Sequence, residues 1–221
     1  MFKEYEKIYE DLKQKIVWLE LKPERVLNVS ELAEDYGVSR TPLKEALIFL
    51  QAEGWVLRQG SYFLVTPLSL ERIRETTEIR MIVEVQANIL AMQRIREDEL
   101  IGIKNRVEEF RERAQKTSNR ETVELDFTVH QTIFKATRNS QMALFLEKLL
   151  GQYLRFWLSI PRDFDKKYFI ESLSKLVAAF EQKNESQLIE VSRGHIQGSV
   201  HEITRYYVEP SLYKASFDLS A

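Results

Sequence analysis

One short stretch of the chain, residues 55–65, has the pattern of paired β-strands, whereas most other long segments have a helical period. The stretch, WVLRQGSYFLV, is rich in β-branched and aromatic residues on both sides of a Gln59-Gly60-Ser61 turn, which predicts a two-stranded hairpin. No other part of the sequence predicts a convincing strand pair. Three helices are predicted before it, at about 5–20, 30–36 and 39–53, the second opened by Ser30 and the third by Ser39.

A short connector, TPLS at 66–69, separates this part from the rest of the chain. Pro67 cannot continue a strand, and Ser69 can cap the next helix. We therefore predict a mainly α protein with two domains, a small one at 1–67 that ends in the hairpin and an all-α helical bundle at 70–221. Six helices are predicted in the bundle, at about 70–94, 97–117, 119–138, 141–159, 164–182 and 184–208.

The 221 residues include no cysteine, which excludes disulfides, cysteine nucleophiles and zinc-thiolate sites. Any metal must therefore be held by His, Asp or Glu. No apolar run approaches the roughly 20 residues that a membrane-spanning helix needs, and the first residues are too charged for the apolar core of a signal peptide. We expect a cytoplasmic protein with no membrane partner.

The charge balance gives no global indication of a nucleic-acid partner. The chain has a formal net charge of −2, and residues 1–67 alone hold 9 Lys and Arg against 11 Asp and Glu, a net of 9 − 11 = −2. A DNA-binding domain is usually basic. Attraction to phosphate depends on local charge, however, so Arg40, Lys44 and Arg58 can still form a small positive face on this acidic part.

The predicted helix at 39–53 has an apolar flank and a polar flank. Leu43, Ala46, Leu47 and Leu50 share the apolar flank, whereas Arg40, Thr41, Lys44, Ile48 and Gln51 share the opposite one.

A helix of this kind fits the major groove of DNA. Ser39 at its start leaves unpaired N–H groups that can bind a phosphate, and Arg40 can pair with a guanine while Lys44 holds a phosphate. The alternative is an amphipathic helix whose polar face is only solvated. The hairpin favours DNA, because a wing with Arg58 and Gly60 at its tip can approach the minor groove or the backbone closely.

Three motifs in this region resemble the helix-turn-helix signature of the GntR family: SELA at 30–33, GVSRTPLKEAL at 37–47 and EGWV at 53–56. The resemblance implies a winged helix-turn-helix and a transcription regulator that binds operator DNA. It also implies DNA contacts from Ser39, Arg40, Thr41 and Lys44, with Gly60 at the tip of the wing. The family often has Arg at the position of Lys44, and some members have a DNA-contacting Arg at the position of Ser30, so the operator sequence cannot be transferred.

In the predicted bundle, Asp126 and His130 are four residues apart on one helix and point from the same face. A carboxylate and an imidazole placed in this way can hold one divalent cation, for which His195 on the last helix is a natural third ligand. The alternatives are a hydrogen-bonded pair or a surface coincidence. A metal-dependent hydrolase that uses these three residues is the rival function, although no obvious general base accompanies them.

The same region resembles the FCD ligand-binding domain of the FadR subfamily of GntR regulators, through DFTVH at 126–130, RNS at 138–140 and GHI at 194–196. Six helices rather than seven are more similar to the VanR branch. The resemblance implies that one Asp and three His hold a metal, such as Zn, Ni or Mn, below a bound small organic acid. Asp126, His130 and His195 match this pattern, but Leu173 stands where the remaining His is expected. The cavity therefore holds either a cation with three protein ligands or no metal.

FCD proteins commonly present an inward Arg from the first helix of the domain, and Arg80 has that position. A buried Arg80 needs an anionic partner, either Glu84 or the carboxylate of an effector. A surface ion pair between Arg80 and Glu84 is the alternative. The weaker candidates for the effector site are Arg155, Tyr153 and Trp157, and His201 is expected at the surface.

These observations favour a regulator whose operator binding is controlled by a small-molecule effector, with Arg80, Asp126, His130 and His195 as the effector-binding residues. A homodimer is expected, because a single helix reads too few base pairs. A third interpretation is a helical adaptor that binds only protein.

Overall fold

The computed structural model describes residues 4–161 and 163–207, and the chain divides into two compact units between Ser69 and Leu70. The N-terminal unit contains three helices and a small sheet. Its elements are α1 Glu4–Val17, β1 Val26–Leu27, α2 Val29–Asp35, α3 Arg40–Ala52, β2 Val56–Gln59 and β3 Tyr62–Val65.

The predicted hairpin is present as β2 and β3, which pair antiparallel from Val56 opposite Val65 to Gln59 opposite Tyr62. Two residues form the turn, and Gly60 has a φ of +59°, a conformation that favours glycine. The sheet has a third strand, in the order β1-β3-β2. We did not predict β1, because two residues are too few to show a strand period.

The core of the N-terminal unit lies on the leucine flank of α3. Leu43, Ala46, Leu47 and Leu50 have no exposed surface, as their spacing predicted. Helix α1 packs against this flank with Leu12 and Ile16, which are fully buried as well. The hairpin completes the core through Trp55, Val56 and Val65, also with no exposed surface. The hairpin therefore packs in the same core as the leucine flank of α3 and helps to fix the position of this helix.

Two helix ends in this unit differ from the predictions. Asn28, not Ser30, caps α2, since the Asn28 side chain accepts hydrogen bonds from the main-chain N–H groups of Ser30 and Glu31. Helix α1 ends at Val17 and not near residue 20, because Leu19 has a left-handed conformation with φ of +58°. Helix α3 begins at Arg40 with Ser39 as its N-cap, as predicted.

The C-terminal unit is a bundle of helices, with six α-helices in its described residues. They are α4 Leu70–Arg94, α5 Glu97–Arg113, α6 Asn119–Ala136, α7 Ser140–Ser159, α8 Lys166–Gln182 and α9 Glu185–Tyr207. The second predicted helix is shorter than expected, because a 3₁₀ turn at Ala114–Lys116 replaces its last turn. The predicted end of the last helix, residue 208, lies outside the described residues.

Helix α4 lies at the centre of this unit and packs against α6, α7 and α9. Its buried side is unusually polar, and four members of that side recur at helical spacing: Thr77, Arg80, Glu84 and Asn88. Polar and charged groups are costly to bury unless they are paired. The bundle must therefore supply partners along this row, which we call the α4 polar row.

Among the described residues, no helix is both long and apolar enough to cross a lipid bilayer.

Leu47 and Ile48 are adjacent in sequence and opposite in environment, since Leu47 is 0% exposed and Ile48 is 54% exposed. We expect Leu47→Ala to lower the free energy of unfolding by about 2–5 kcal/mol, because it leaves a cavity in the small core. Ile48→Ala is the matched control, with an expected change of about 0.5 kcal/mol or less. Urea unfolding of the two variants checks this, and equal losses would contradict the assigned sides of α3.

Candidate functional site

The polar flank of α3 lies open to solvent. Arg40, Thr41 and Lys44 are all exposed in its first two turns, as are Ile48 and Gln51 further along. Ser39 occupies the N-cap position, but its side chain makes no capping hydrogen bond. The first N–H groups of the helix and two cationic side chains therefore face the same solvent region, which suits an anion such as phosphate.

The tip of the hairpin is exposed as well. Arg58 lies on β2, and its Nε donates a hydrogen bond to the main-chain oxygen of Gly60, with 3.3 Å between the two atoms. This bond holds the Arg58 side chain against the turn. The turn has no bulky side chain at Gly60, so another molecule can approach its backbone.

In the C-terminal unit, Asp126 and His130 on α6 meet His195 on α9. One potential ligand atom from each residue lies within 4.8 Å of the others, and all three residues are buried. The Oδ1 atom of Asp126 is 3.3 Å from Nδ1 of His130 and 3.7 Å from Nε2 of His195. The two imidazole rings stack with their centroids 5.0 Å apart. The three residues are therefore brought together, and we call them the Asp-His-His cluster; the spacing of Asp126 and His130 had predicted only that these two share one face of a helix.

Hydrogen bonds orient both imidazole rings. The Nδ1 atom of His130 lies 2.9 Å from the main-chain oxygen of Asp126, and Nδ1 of His195 lies 3.0 Å from the hydroxyl oxygen of Ser172. Two atoms of the cluster, Oδ1 of Asp126 and Nε2 of His130, are buried without a hydrogen-bond partner among the described residues. Two imidazoles with one nitrogen fixed, beside a carboxylate oxygen that lacks a donor, suit a divalent cation.

Leu173 lies on α8 next to Ser172 and has no exposed surface. Its alkyl side chain packs in the core and cannot bind a metal. Within the described residues, the cluster therefore offers a cation three protein ligands, and any further ligand comes from water or an effector.

Arg80 and Glu84 on α4 form a buried ion pair beside the cluster. Their side chains are 2% and 1% exposed, so the surface pair that we considered from the sequence is wrong. Nε of Arg80 donates to one oxygen of Glu84 at 2.6 Å, and Nη2 donates to the other at 3.1 Å. The guanidinium also lies 4.5 Å from the centre of the Tyr153 ring. The Glu84 Oε1 atom is 3.4 Å from Nε2 of His130, so the pair adjoins the Asp-His-His cluster.

The charges of the cluster follow from this arrangement. Burial alone would lower the pKa of His130, but the carboxylates of Asp126 and Glu84 outweigh it and raise that pKa to about 10. Burial and the nearby His130 lower the pKa of His195 to about 4. Burial acts to raise the pKa of Asp126, yet the His130 charge holds it below its ordinary value. The cluster therefore combines a carboxylate, an imidazolium at His130 and a neutral imidazole at His195.

Three other polar residues of this interior, Thr77, Asn88 and Ser192, were missed from the sequence. The Asn88 Nδ2 atom donates to the hydroxyl oxygen of Ser192 at 3.0 Å, and the hydroxyls of Thr77 and Tyr153 are 3.4 Å apart. The recurrence of Thr77, Arg80, Glu84 and Asn88 at intervals of three or four residues is the signal that would have found the two on α4, Thr77 and Asn88.

The weaker candidates have different environments. Tyr153 lies under the Arg80 guanidinium, and Trp157 donates from Nε1 to the Ser199 hydroxyl at 3.0 Å. Arg155 is buried on α7, whereas His201 is exposed, as expected. Tyr153 contacts the α4 polar row at two points, the Arg80 guanidinium and the Thr77 hydroxyl.

Comparison with protein families agrees with both units. Residues 75–198 match the model of the FCD domain, and residues 4–61 match the model described as bacterial regulatory proteins, gntR family. The chain belongs to the GntR family. The FCD match is consistent with the FadR subfamily, whereas assignment to the VanR branch stays a prediction.

Relatives of this GntR-family chain are named as regulators. It is 29% identical over 147 residues to the uncharacterized HTH-type transcriptional regulator YdhC of Bacillus subtilis, an alignment that covers 65% of each chain and thus less than two thirds of that relative's length. It is 27% identical over 190 residues to the Nta operon transcriptional regulator of Aminobacter aminovorans, covering 79% of this chain and 90% of that protein.

The fold has also been seen in a solved structure. The Escherichia coli protein McbR/YncC superposes with a TM-score of 0.82 and 20% sequence identity, covering 94% of this chain and 100% of the other. At this identity, the likeness shows a shared fold.

Two ion pairs on α4 of this GntR-family chain allow a matched test. We expect Arg80→Ala to lower the free energy of unfolding by about 3–5 kcal/mol, because it leaves the Glu84 carboxylate buried without its partner. Arg74 forms the same kind of i, i+4 pair with Glu78, but at the surface, with side chains 46% and 48% exposed. Arg74→Ala should cost less than about 1 kcal/mol. Urea unfolding compares the two, and a small loss for Arg80→Ala would mean that Arg80 is solvated.

Proposed function

We propose that the protein is a sequence-specific DNA-binding transcription regulator whose operator binding is modulated by a small-molecule effector. The observation that carries the proposal is the exposed, uncapped start of α3, with Arg40 and Lys44 beside it, in a unit that matches the GntR model. Operator DNA is the partner that this surface suits, and we propose that the protein acts in the cytoplasm.

In this proposal, α3 enters the major groove with its first two turns. Arg40 has a planar guanidinium that can donate to O6 and N7 of a guanine, whereas Lys44 is better suited to a phosphate. Ser39 and Thr41 contribute hydroxyl groups at the same end of the helix. Arg58 and Gly60 place the hairpin against the backbone or the minor groove. The net charge of −2 on residues 1–67 makes each subunit's attraction to DNA modest, so base contacts must contribute much of the affinity.

A homodimer follows from the size of the recognition element. A single helix contacts only a few base pairs, and paired half-sites separated by about 34 Å or more give a longer operator. We infer that the C-terminal unit joins the two subunits. Effector binding then changes the population of the conformations in which both helices fit their half-sites.

We place the effector site at Arg80, Asp126, His130 and His195. These residues lie together in the interior of the C-terminal unit, within the FCD match. Glu84 accepts hydrogen bonds from Nε and Nη2 of Arg80, and in this proposal the third nitrogen, Nη1, donates to an effector carboxylate. A small organic acid is therefore the effector class that this site suits, since its charge is opposite to that of Arg80 and the His130 imidazolium.

Asp126, His130 and His195 would hold the divalent metal that FCD domains can bind, with Zn²⁺, Ni²⁺ and Mn²⁺ as the candidates. When bound, the cation supplies a positive centre that attracts a carboxylate. To act as a ligand, His130 must release its proton, whereas His195 is already neutral. Ser172 keeps the His195 ring in the required orientation through its hydrogen bond to Nδ1.

The hydrolase alternative finds no support in the comparisons, because the matched proteins YdhC and the Nta operon regulator are both named as transcriptional regulators. A regulator of this family is not an enzyme. The adaptor alternative does not account for the GntR match over residues 4–61. Failure to retain any DNA at low salt would favour it.

A mobility-shift titration tests the DNA-reading surface, with an operator obtained by in vitro selection from random DNA. We expect Arg40→Ala to abolish specific binding while the fold stays intact, because a bidentate guanine contact contributes roughly 1–3 kcal/mol in each half-site. Arg25→Ala removes another exposed arginine of the same unit, in the segment before β1, and should leave binding within about twofold. Equal affinities of wild type and Arg40→Ala would remove α3 from the recognition surface.

Cobalt titration followed by visible absorption tests the metal proposal. We expect His195→Ala to weaken Co²⁺ binding more than about 100-fold, because it removes one of three protein ligands. His201→Ala is the control, since His201 is exposed on the same helix and should not affect the spectrum. Equal spectra for wild type and His195→Ala would exclude His195 as a ligand.

A further inference from the structure

The outer side of α4 carries no charge between Ile79 and Gln93. Arg80 and Glu84 are the only charged residues of this stretch, and both are buried. A helix that borders water usually presents charged side chains to it. Here the exposed residues are all uncharged: Ile79, Ile82, Gln86 and Gln93. With Ile82 70% exposed, this side of α4 has the composition of a surface that is covered by another molecule.

Helix α5 of the same unit shows the usual pattern. All of its exposed residues are charged except Ile101 and Asn105. An isolated isoleucine among charged residues is common on protein surfaces and needs no partner. The uncharged outer side is therefore a property of α4 and not of the surface of the unit in general.

The spacing of residues on the outer side is that of a helix that packs along a second helix. Ile79, Ile82, Gln86, Ile89 and Gln93 follow one another at intervals of three, four, three and four residues. This is the spacing of the a and d positions of a coiled coil, which form the line of contact between two helices. We call these five residues the α4 seam. Helices α6, α7 and α9 contact α4, but they leave the seam exposed at four of its five residues.

We propose that the α4 seam packs against the same seam of a second copy of the chain and forms the centre of the homodimer interface. Two identical subunits related by a twofold axis use the same surface patch on both sides. An uncharged patch can meet its own copy without repulsion between like charges. DNA does not suit the seam, because DNA binds cationic side chains. This inference rests on the proposed function, which requires a dimer.

The seam supplies only part of the area that a stable dimer needs. From Ile79 to Gln93 it is about 21 Å long, at about 1.5 Å per residue. A standard interface buries about 800 Å² on each partner. Helix α7 packs against α4 and exposes Leu144 by 62% and Phe145 by 43%. Phe145 is two turns before Tyr153, which contacts Arg80, so Phe145 lies beside α4 and adds apolar area next to the seam.

Sedimentation equilibrium of the full-length protein tests the interface. We expect wild type to have twice the chain mass of 26.1 kDa. Ile82→Lys should weaken dimerisation at least about 100-fold, because it places an unpaired ammonium group in the centre of the contact. Ile101→Lys is the matched control, since Ile101 is 48% exposed on α5. It should leave the dissociation constant within about twofold.

Gln86→Leu tests the seam in the opposite direction. A polar residue at an a or d position lowers the stability of a coiled coil. We therefore expect leucine at this position to tighten the dimer at least about tenfold, whereas Asn105→Leu on α5 should have no effect. This pair keeps the proposal testable if Ile82→Lys does not fold, because an uncharged exposed residue of a helix is replaced by a good helix former.

Three results would overturn the inference: wild type that stays monomeric at about 100 µM, Ile82→Lys that folds and dimerises like wild type, or Gln86→Leu with unchanged association. Operator binding by the same preparations separates these results from failure of the proposed function. A dimer that binds operator but is unaffected by the seam variants removes only the role of the seam. A seam-dependent dimer that binds no selected operator leaves the interface in place and removes the regulator proposal.

Discussion

Two buried charges on one helix constrain the C-terminal unit. Arg80 and Glu84 have almost no contact with solvent, so each needs its partner in place. The bidentate geometry fixes both side chains, and the Glu84 carboxylate in turn reaches His130 on α6. Through His130 and Asp126 the network extends to His195 on α9. The bundle thus acquires a connected polar network in its interior, with few alternative arrangements.

Each unit depends on one α-helix, but α3 and α4 place key charged side chains in opposite environments. In the N-terminal unit, α3 buries leucines and leaves its charged side chains to solvent, where another molecule can reach them. In the C-terminal unit, α4 buries two charged side chains, Arg80 and Glu84, in the interior of the bundle. These two arrangements suit two kinds of binding. DNA binds at a protein surface, whereas a small ligand binds in an enclosed site.

The sequence predicted those features of the structure that depend on the periodicity and spacing of residues. The hairpin, the two flanks of α3 and the proximity of Asp126 to His130 follow from periods of two and about four residues. The same periods could not decide whether Arg80 and Glu84 face the core or water, because an i, i+4 pair is compatible with both. Strand β1 is too short to show any period, and the Asn28 cap depends on local geometry. Asn88 and Ser192 were missed because their partnership spans more than a hundred residues of sequence.

The uncapped start of α3 has a consequence for the unbound protein. Ser39 leaves the first N–H groups of this helix to water, where most helices would satisfy one of them internally. The first turn of α3 is therefore stabilised by fewer interactions than the middle of the helix, whose leucines are buried in the core. A phosphate that binds there displaces no side-chain capping hydrogen bond, and it can accept hydrogen bonds from the first N–H groups of the helix. If DNA binds at this end of α3 as proposed, the nucleic acid orders the first turn, and slow amide exchange at that turn is expected of the complex and not of the free chain.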